Sequence, residues 1–473
     1  MNKTLLHELL QQFSMAERQQ FRDFVFADFF TTNPSVRKLA QYLLDNDLPE
    51  SKELAYQSLF GTDGYEERRL NNVISDLLQL AYRFLVEQQL ETRPLHLNSL
   101  LLEALMEKNV HRPIARLARK AKRIRDKRTD SSYQFLQDSY QHFEQLDRSA
   151  LIENQSIYDP NLQTMSDTLD AYYLCNKLRI ACEMVSRSQM LQEDYMPHLI
   201  DFVLQEYESN ASRYVTFPAL RIYYNAYHFL TQHTTDGYQK LKAELQQESP
   251  LSRAELKHLY TYMLNFSVRQ INYGRTDYYR EVFHICQSLI EQDLLLQHGY
   301  LTMRTFINAT TAGIRLQEFE WTKQFIATYK DNLKADEQQN VIDYQRANLY
   351  FAQGNFNKTL QLLQRVEFSN VFYQASARII QLKVFYELEE VEPFYALVKS
   401  VRNLLHRKRQ LSDYHRLSYL NFVRITKRLL DIKLKPKYQR ERLQTDFEEK
   451  LNQLEPLNNK EWVREKYERL FGM

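Results

Sequence analysis

Two stretches of this 473-residue chain concentrate cations that could hold phosphates or a carboxylate-rich surface. Lys108 to Arg128 contains 10 basic residues and one acid, Asp126, for +9. Arg402 to Arg442 contains 13 basic residues against Asp413, Asp431 and Glu441, for +10. The whole chain is only +2, so the other 411 residues together carry −17 and the charge is segregated rather than mixed. In the first stretch Ile114, Leu117, Ala121 and Ile124 recur at helical spacing, which puts Arg116, Arg119, Lys120, Arg123 and Lys127 on the opposite side of one helix. Such a ridge suits a nucleic acid through counterion release, or an acidic protein through charge steering. It equally suits a solvated face, or contact with the acidic remainder of the same chain, because neither interleaved aromatics nor a nucleic-acid motif accompanies it.

The other reactive side chains give little. Cys175 and Cys182 are seven apart and share a helix face, but no histidine joins them at ligand spacing, so they read as core thiols rather than metal ligands. Glu255-Leu-Lys-His258 matches Glu-x-x-His once, where a binuclear carboxylate bundle needs it twice. HExxH, GxSxG, CxxC and kinase signatures do not occur. Glycine supplies 8 of 473 residues, against about 7% in ordinary proteins, and never forms GxG or GxxxxGK[ST], which disfavours Rossmann and Walker sites. A non-catalytic protein with no cofactor, no metal and no small-molecule substrate is the expectation.

The elements that must position these residues are helices. With 8 Gly and 11 Pro to break it, and rich in Leu, Gln, Glu, Lys and Arg, the composition predicts an all-α chain of about twenty helices. Ser14 with Glu17, Asp63 with Glu66 and Ser252 with Glu255 have capping-box spacing. Pro34, Pro94, Pro113, Pro160 and Pro218 suit first-turn positions. No run of 18 apolar residues and no secretory pattern occurs, and three cysteines fit a reducing compartment, so the expected location is cytoplasmic, without membrane contact.

Residues Asn348 to Val366 read NLYFAQGNFNKTLQLLQRV: an aromatic pair, Tyr350 and Phe351, a turn at Gly354, an aromatic at Phe356, then Thr359 where a small residue lets two helices approach. This segment resembles the centre of a tetratricopeptide repeat. Weaker copies lie around Phe385-Tyr386 and Leu316 to Phe319, and looser ones at Tyr278-Tyr279, Tyr223-Tyr224 and Tyr172-Tyr173. The resemblance implies a right-handed α-α superhelix, a TPR-like solenoid whose inter-repeat seams take up most of the Tyr and Phe. A second, narrower resemblance rests on Ser14 to Phe21, Leu59-Phe60-Gly61, Tyr82 to Leu85, Leu169 to Tyr173 and Tyr419 to Phe422. On these the chain resembles uncharacterised cytoplasmic helical proteins of Bacteroidota, which implies the architecture and no activity.

The expected organisation is an irregular helical N-terminal region over 1–159 including the basic helix 108–128, TPR-like repeats over 160–433, and a C-terminal helical cap over 434–473 in which Trp462 docks. In tetratricopeptide-like repeats the first helix of each pair lines the concave side. Aligned on the turns, the resemblance places Arg304, Asn308, Tyr344, Asn348 and Lys383 there, where they could grip a peptide. Tyr344 stands where the carboxylate-gripping subfamily has a lysine. The functional expectation is a scaffold or adaptor that binds a protein partner along that side. The alternative is a nucleic-acid- or ribonucleoprotein-associated protein that uses segments 108–128 and 402–442.

Overall fold

The computed structural model describes residues 4–49, 51–62, 64–127, 132–153, 160–191, 195–246, 251–297, 299–335, 338–368, 370–407 and 413–472. Among these residues the regular structure is helical, 23 α-helices with two short 3₁₀ turns and a single isolated bridge between Gln297 and Tyr300. The chain forms two compact units, Met1–Ser252 and Arg253–Met473. That division falls inside the 160–433 stretch assigned to repeats.

The first unit contains α1 (Leu5–Gln11), α2 (Met15–Phe26), α3 (Pro34–Asp45), α4 (Lys52–Phe60), α5 (Glu67–Thr92), α6 (Pro94–Glu107), α7 (Ile114–Lys127), α8 (Tyr133–Glu153), α9 (Pro160–Leu191), α10 (Ile200–Ser209), α11 (Pro218–Gln232) and α12 (Thr235–Gln246). Local chemistry sets these starts. The Ser14 hydroxyl accepts from the Glu17 N–H at 3.2 Å while the Ser14 N–H donates to the Glu17 carboxylate at 2.7 Å, the reciprocal box expected. Pro34, Pro94, Pro160 and Pro218 each open a helix, where a missing N–H costs nothing. Asp63 lies outside the described residues. One core joins α1 to α5, with Phe13, Phe21 and Phe84 at ring distances of 5.4 to 5.8 Å. A smaller one joins Leu102, Ile114, Phe143 and Leu146, and so seats α7 on α6 and α8.

The second unit contains α13 (Arg253–Asn272), α14 (Tyr278–Glu291), α15 (Met303–Arg315), α16 (Phe319–Tyr329), α17 (Gln338–Ala352), α18 (Phe356–Leu363), α19 (Val371–Glu387), α20 (Val391–Arg407), α21 (Asp413–Lys433), α22 (Lys437–Gln453) and α23 (Lys460–Phe471). Each helix packs on its successor from α13 to α23, and α15, α17, α19 and α21 also pack in sequence on one another. The same turn recurs at Leu316-Gln317-Glu318, Gln353-Gly354-Asn355 and Leu388-Glu389-Glu390, 37 and then 35 residues on. Its middle residue is left-handed each time, with φ of +63°, +75° and +58°. Its third N–H donates to the carbonyl five residues back, Glu318 to Gly313, Asn355 to Tyr350 and Glu390 to Phe385, at 2.8 to 3.0 Å. Gly354 adopts that geometry without strain, whereas Gln317 and Glu389 hold it against a cost of about 1 kcal/mol.

Small residues set the approach within pairs. A Cβ on Gly313 would lie 2.3 Å from the Thr322 hydroxyl, so α15 and α16 come this close only because position 313 is glycine. Thr359 is fully buried, and its hydroxyl reaches the Ala347 carbonyl across the α17–α18 pair at 3.4 Å. The expected docking of Trp462 is present: it is buried with Tyr386 and Phe422 in a core shared by α19 to α23.

Candidate functional site

Three places hold the residues singled out above. On α7, Ile114 and Ala121 are buried and Leu117 packs beside them, so the opposite face is left to solvent. Arg116, Arg119, Lys120, Lys122 and Arg123 are all exposed, and none has a carboxylate within ion-pair distance among the described residues. Among the described residues the five make a single polar contact, from Arg119 Nε to its own helix, donated to the Ala115 carbonyl at 3.2 Å. The Lys127 side chain lies outside the described residues. Arg125 turns inward instead, its guanidinium 4.4 Å over the Phe143 ring, and burial lowers its pKa. Beside it, fully buried His142 has neither ring nitrogen hydrogen-bonded among the described residues. Burial, then the Arg125 charge, push this imidazole down to about 4, so it is neutral at pH 7.

The second basic stretch is arranged differently. Arg416 pairs with Asp413 at 2.5 Å, Lys427 with Asp431 at 2.8 Å and Lys433 with Glu389 at 2.9 Å, while Arg428 pairs with Asp446 of α22. Arg402, Arg424, Lys435, Lys437 and Arg442 remain exposed, and Lys408 and Arg409 lie outside the described residues. Asp413 and Asp431 are already counted in the +10, and Asp446 and Glu389 each offset one further charge from outside the stretch.

The third place is the row of first helices, and here the structure departs from the expected open surface. Arg304 on α15 is exposed, and Asn308 on α15 and Asn348 on α17 are half-buried, the Asn348 amide donating to the Tyr344 carbonyl at 3.1 Å. Tyr344 and Lys383 are buried, with 8% and 6% of their surface accessible, and so are not exposed gripping residues. Tyr344 packs its ring on Phe368, 5.4 Å away, and burial raises its pKa. Lys383 is covered by the chain's own C-terminal segment. Its ammonium donates to the Asn459 side-chain oxygen and lies 5.5 Å from the Phe351 and Trp462 ring centres. Burial, then Arg315 and Lys466, hold its pKa well below that of an ordinary lysine.

Two members of that contact escape the sequence in different ways. Arg315 donates to the same Asn459 oxygen at 3.4 Å. It lies seven residues after Asn308 on the same helical face, so periodicity marks it once the face is chosen. Asn459 is 144 residues from Arg315 and 76 from Lys383, and no local pattern points to it.

The remaining candidates are structural. Cys175, Cys182 and Cys286 are buried, Cys182 directing its thiol at the Tyr223 carbonyl 3.7 Å away, while burial pushes the Cys286 thiol up to about 12. Glu255 is buried and His258 exposed, so the two do not face a common site. Among the described residues no group of three or more His, Cys, Asp or Glu is placed to hold a metal ion, and no helix is long and apolar enough to cross a membrane. Comparison with protein families, with curated proteins and with solved structures gives no match for this chain.

Proposed function

We propose that this chain is a non-catalytic cytoplasmic scaffold, a TPR-like right-handed superhelix of helix pairs that binds a protein partner along the side lined by its first helices. The recurrence of one turn at Gln317, Gly354 and Glu389, with α15, α17, α19 and α21 packed in sequence, is the observation that carries this reading. Repeats joined in this way present a continuous surface that no isolated pair has. The test uses the accessible residues of that row. Affinity capture with mass spectrometry is expected to return a defined protein that is lost with Arg304→Glu combined with Asn308→Ala, while the circular-dichroism melt is unchanged. A captured set identical for both proteins removes the reading.

A second reading, association with nucleic acid, is favoured by the exposed cations of α7, which form no ion pair among the described residues. Neutralising phosphates with such side chains releases counterions, so retention should fall steeply with salt. Arg119→Glu with Arg123→Glu is expected to abolish retention on RNA at low salt; equal elution of variant and parent defeats this reading.

A further inference from the structure

The covering of Lys383 shows what the row of first helices can hold, because it already holds polypeptide. Residues 456–462 lie against α21, α19 and α15. The Asn421 amide donates to the Pro456 carbonyl at 3.0 Å, and the Asn458 N–H donates to the Ser418 carbonyl at 3.4 Å. Asn459 accepts from Lys383 and Arg315. Three residues on, Trp462 inserts its ring against Tyr386, edge-on at 5.3 Å, and Phe422 at 5.8 Å. A backbone grip, a side-chain oxygen and an aromatic anchor are the parts of a peptide-recognition site.

Its electrostatics do not match its occupant. The Lys383 ammonium and the Arg315 guanidinium converge on one neutral amide oxygen, and among the described residues neither has a carboxylate of its own within ion-pair distance. Glu387, the acid nearest along α19, is engaged by Lys466 at 2.6 Å. A carboxylate at the position of the Asn459 amide would accept from Lys383 and Arg315 together and turn two hydrogen bonds to a neutral group into charge-assisted ones.

We propose that the face of α15, α19 and α21 beneath residues 456–462 is a docking groove for an acidic segment of a partner protein, one carrying an aspartate three residues ahead of a tryptophan, and that the C-terminal segment occupies the groove as a weaker resident. The inference rests on the scaffold reading and adds the chemistry of its partner. The resident segment then sets a threshold, since a partner must outcompete a tethered ligand at high effective concentration.

The experiment uses full-length protein and two labelled nine-residue peptides, one copying residues 455–463 and one with the Asn459→Asp exchange. Binding is read by fluorescence anisotropy on a protein carrying Asn459→Ala, which loosens the resident without removing its core tryptophan. The aspartate peptide is expected to bind about tenfold tighter than the asparagine peptide, the factor that 1.4 kcal/mol supplies. Arg315→Gln, at an exposed side chain, should collapse that preference to less than threefold. Independently, Asn459→Asp in the protein itself should raise its melting temperature at pH 7. Equal affinity of the two peptides, no binding of either, or a melting temperature that stays or falls overturns the proposal. If capture still returns a partner sensitive to Arg304→Glu, the scaffold reading survives that failure; if capture fails while the peptide preference holds, the groove stands and the exposed part of the row is not its extension.

Discussion

Helices α7 and α21 are both rich in cations and use them in opposite ways. On α7 five exposed cations have no carboxylate within ion-pair distance among the described residues, and of the side chains described there only Ile114 and Ala121 are buried. On α21 four of the five cations are paired, to Asp413, Asp431, Asp446 and Glu389, while Phe422, Val423, Ile425, Leu429, Leu430 and Ile432 sink into the core. The two sequence segments look alike when their charges are counted, +9 and +10. What separates them is whether the acids engage: those on α21 and on the helices beside it pair with its cations, whereas Asp126, the one acid of α7, forms no ion pair among the described residues although it stands three and four residues after Arg123 and Lys122. Charge on a helix is available to a partner only where the fold has not already supplied one.

The largest effect should come from the unequal anchoring. Phe422→Ala removes a fully buried ring that touches Trp462, and is expected to cost about 3–5 kcal/mol in urea unfolding of the second unit. Leu117→Ala on α7 removes a half-buried side chain and should cost about 1–2 kcal/mol. Equal losses would mean that α7 is held as firmly as α21 and that its charge is part of a core device.

Next in size is a pH effect confined to the packing of α7. His142 has a folded pKa of about 4 against an ordinary 6.5, because it is buried beside Arg125. Between those values the unfolded chain binds more protons than the folded one. The stabilisation is therefore complete above pH 6.5 and is lost as pH falls toward 4, by about 3 kcal/mol at most. His142→Phe should flatten the urea midpoint across that window. His415 near the start of α21 is shifted in the same direction by partial burial and should leave a smaller slope behind. A slope unchanged in His142→Phe would assign the whole effect to other groups.

These contrasts also mark how far local sequence carries. The helices, the proline starts and the turn at Gly354 follow from residues within five positions of one another, and so could be read directly. The turns at Gln317 and Glu389 are harder, since a left-handed residue without glycine gives no signature and only the spacing from Gly354 reveals it. The exposed face of α7 follows from a 3.6-residue period. The burial of Lys383 does not: a lysine in a helix reads as solvent-facing, and what covers it arrives 76 residues later with Asn459. The repeat resemblance puts Tyr344 on an open face, and nothing local to α17 shows that Phe368 stands in front of it. Short-range chemistry sets which face a residue occupies, and distant chain decides whether that face meets water.

The smallest effects test the comparison most closely, because they differ in sign. Asp446 accepts from Arg428 and from Lys450, the latter at 2.5 Å, with nearly half its side chain exposed. Asp446→Asn should therefore destabilise by about 0.2–1 kcal/mol, less at high salt. On α7 the like charges Arg116 and Lys120, and Arg119 and Arg123, are four residues apart and repel. Arg119→Glu replaces the second repulsion with an attraction and should stabilise the helix by about 0.3–0.5 kcal/mol, an increment that also fades with salt. The same exchange is half of the variant expected to lose RNA, so a gain in stability alongside that loss would separate binding from folding in one protein. If Arg119→Glu destabilises instead, Arg119 has a partner within the fold, and the contrast between the two helices disappears.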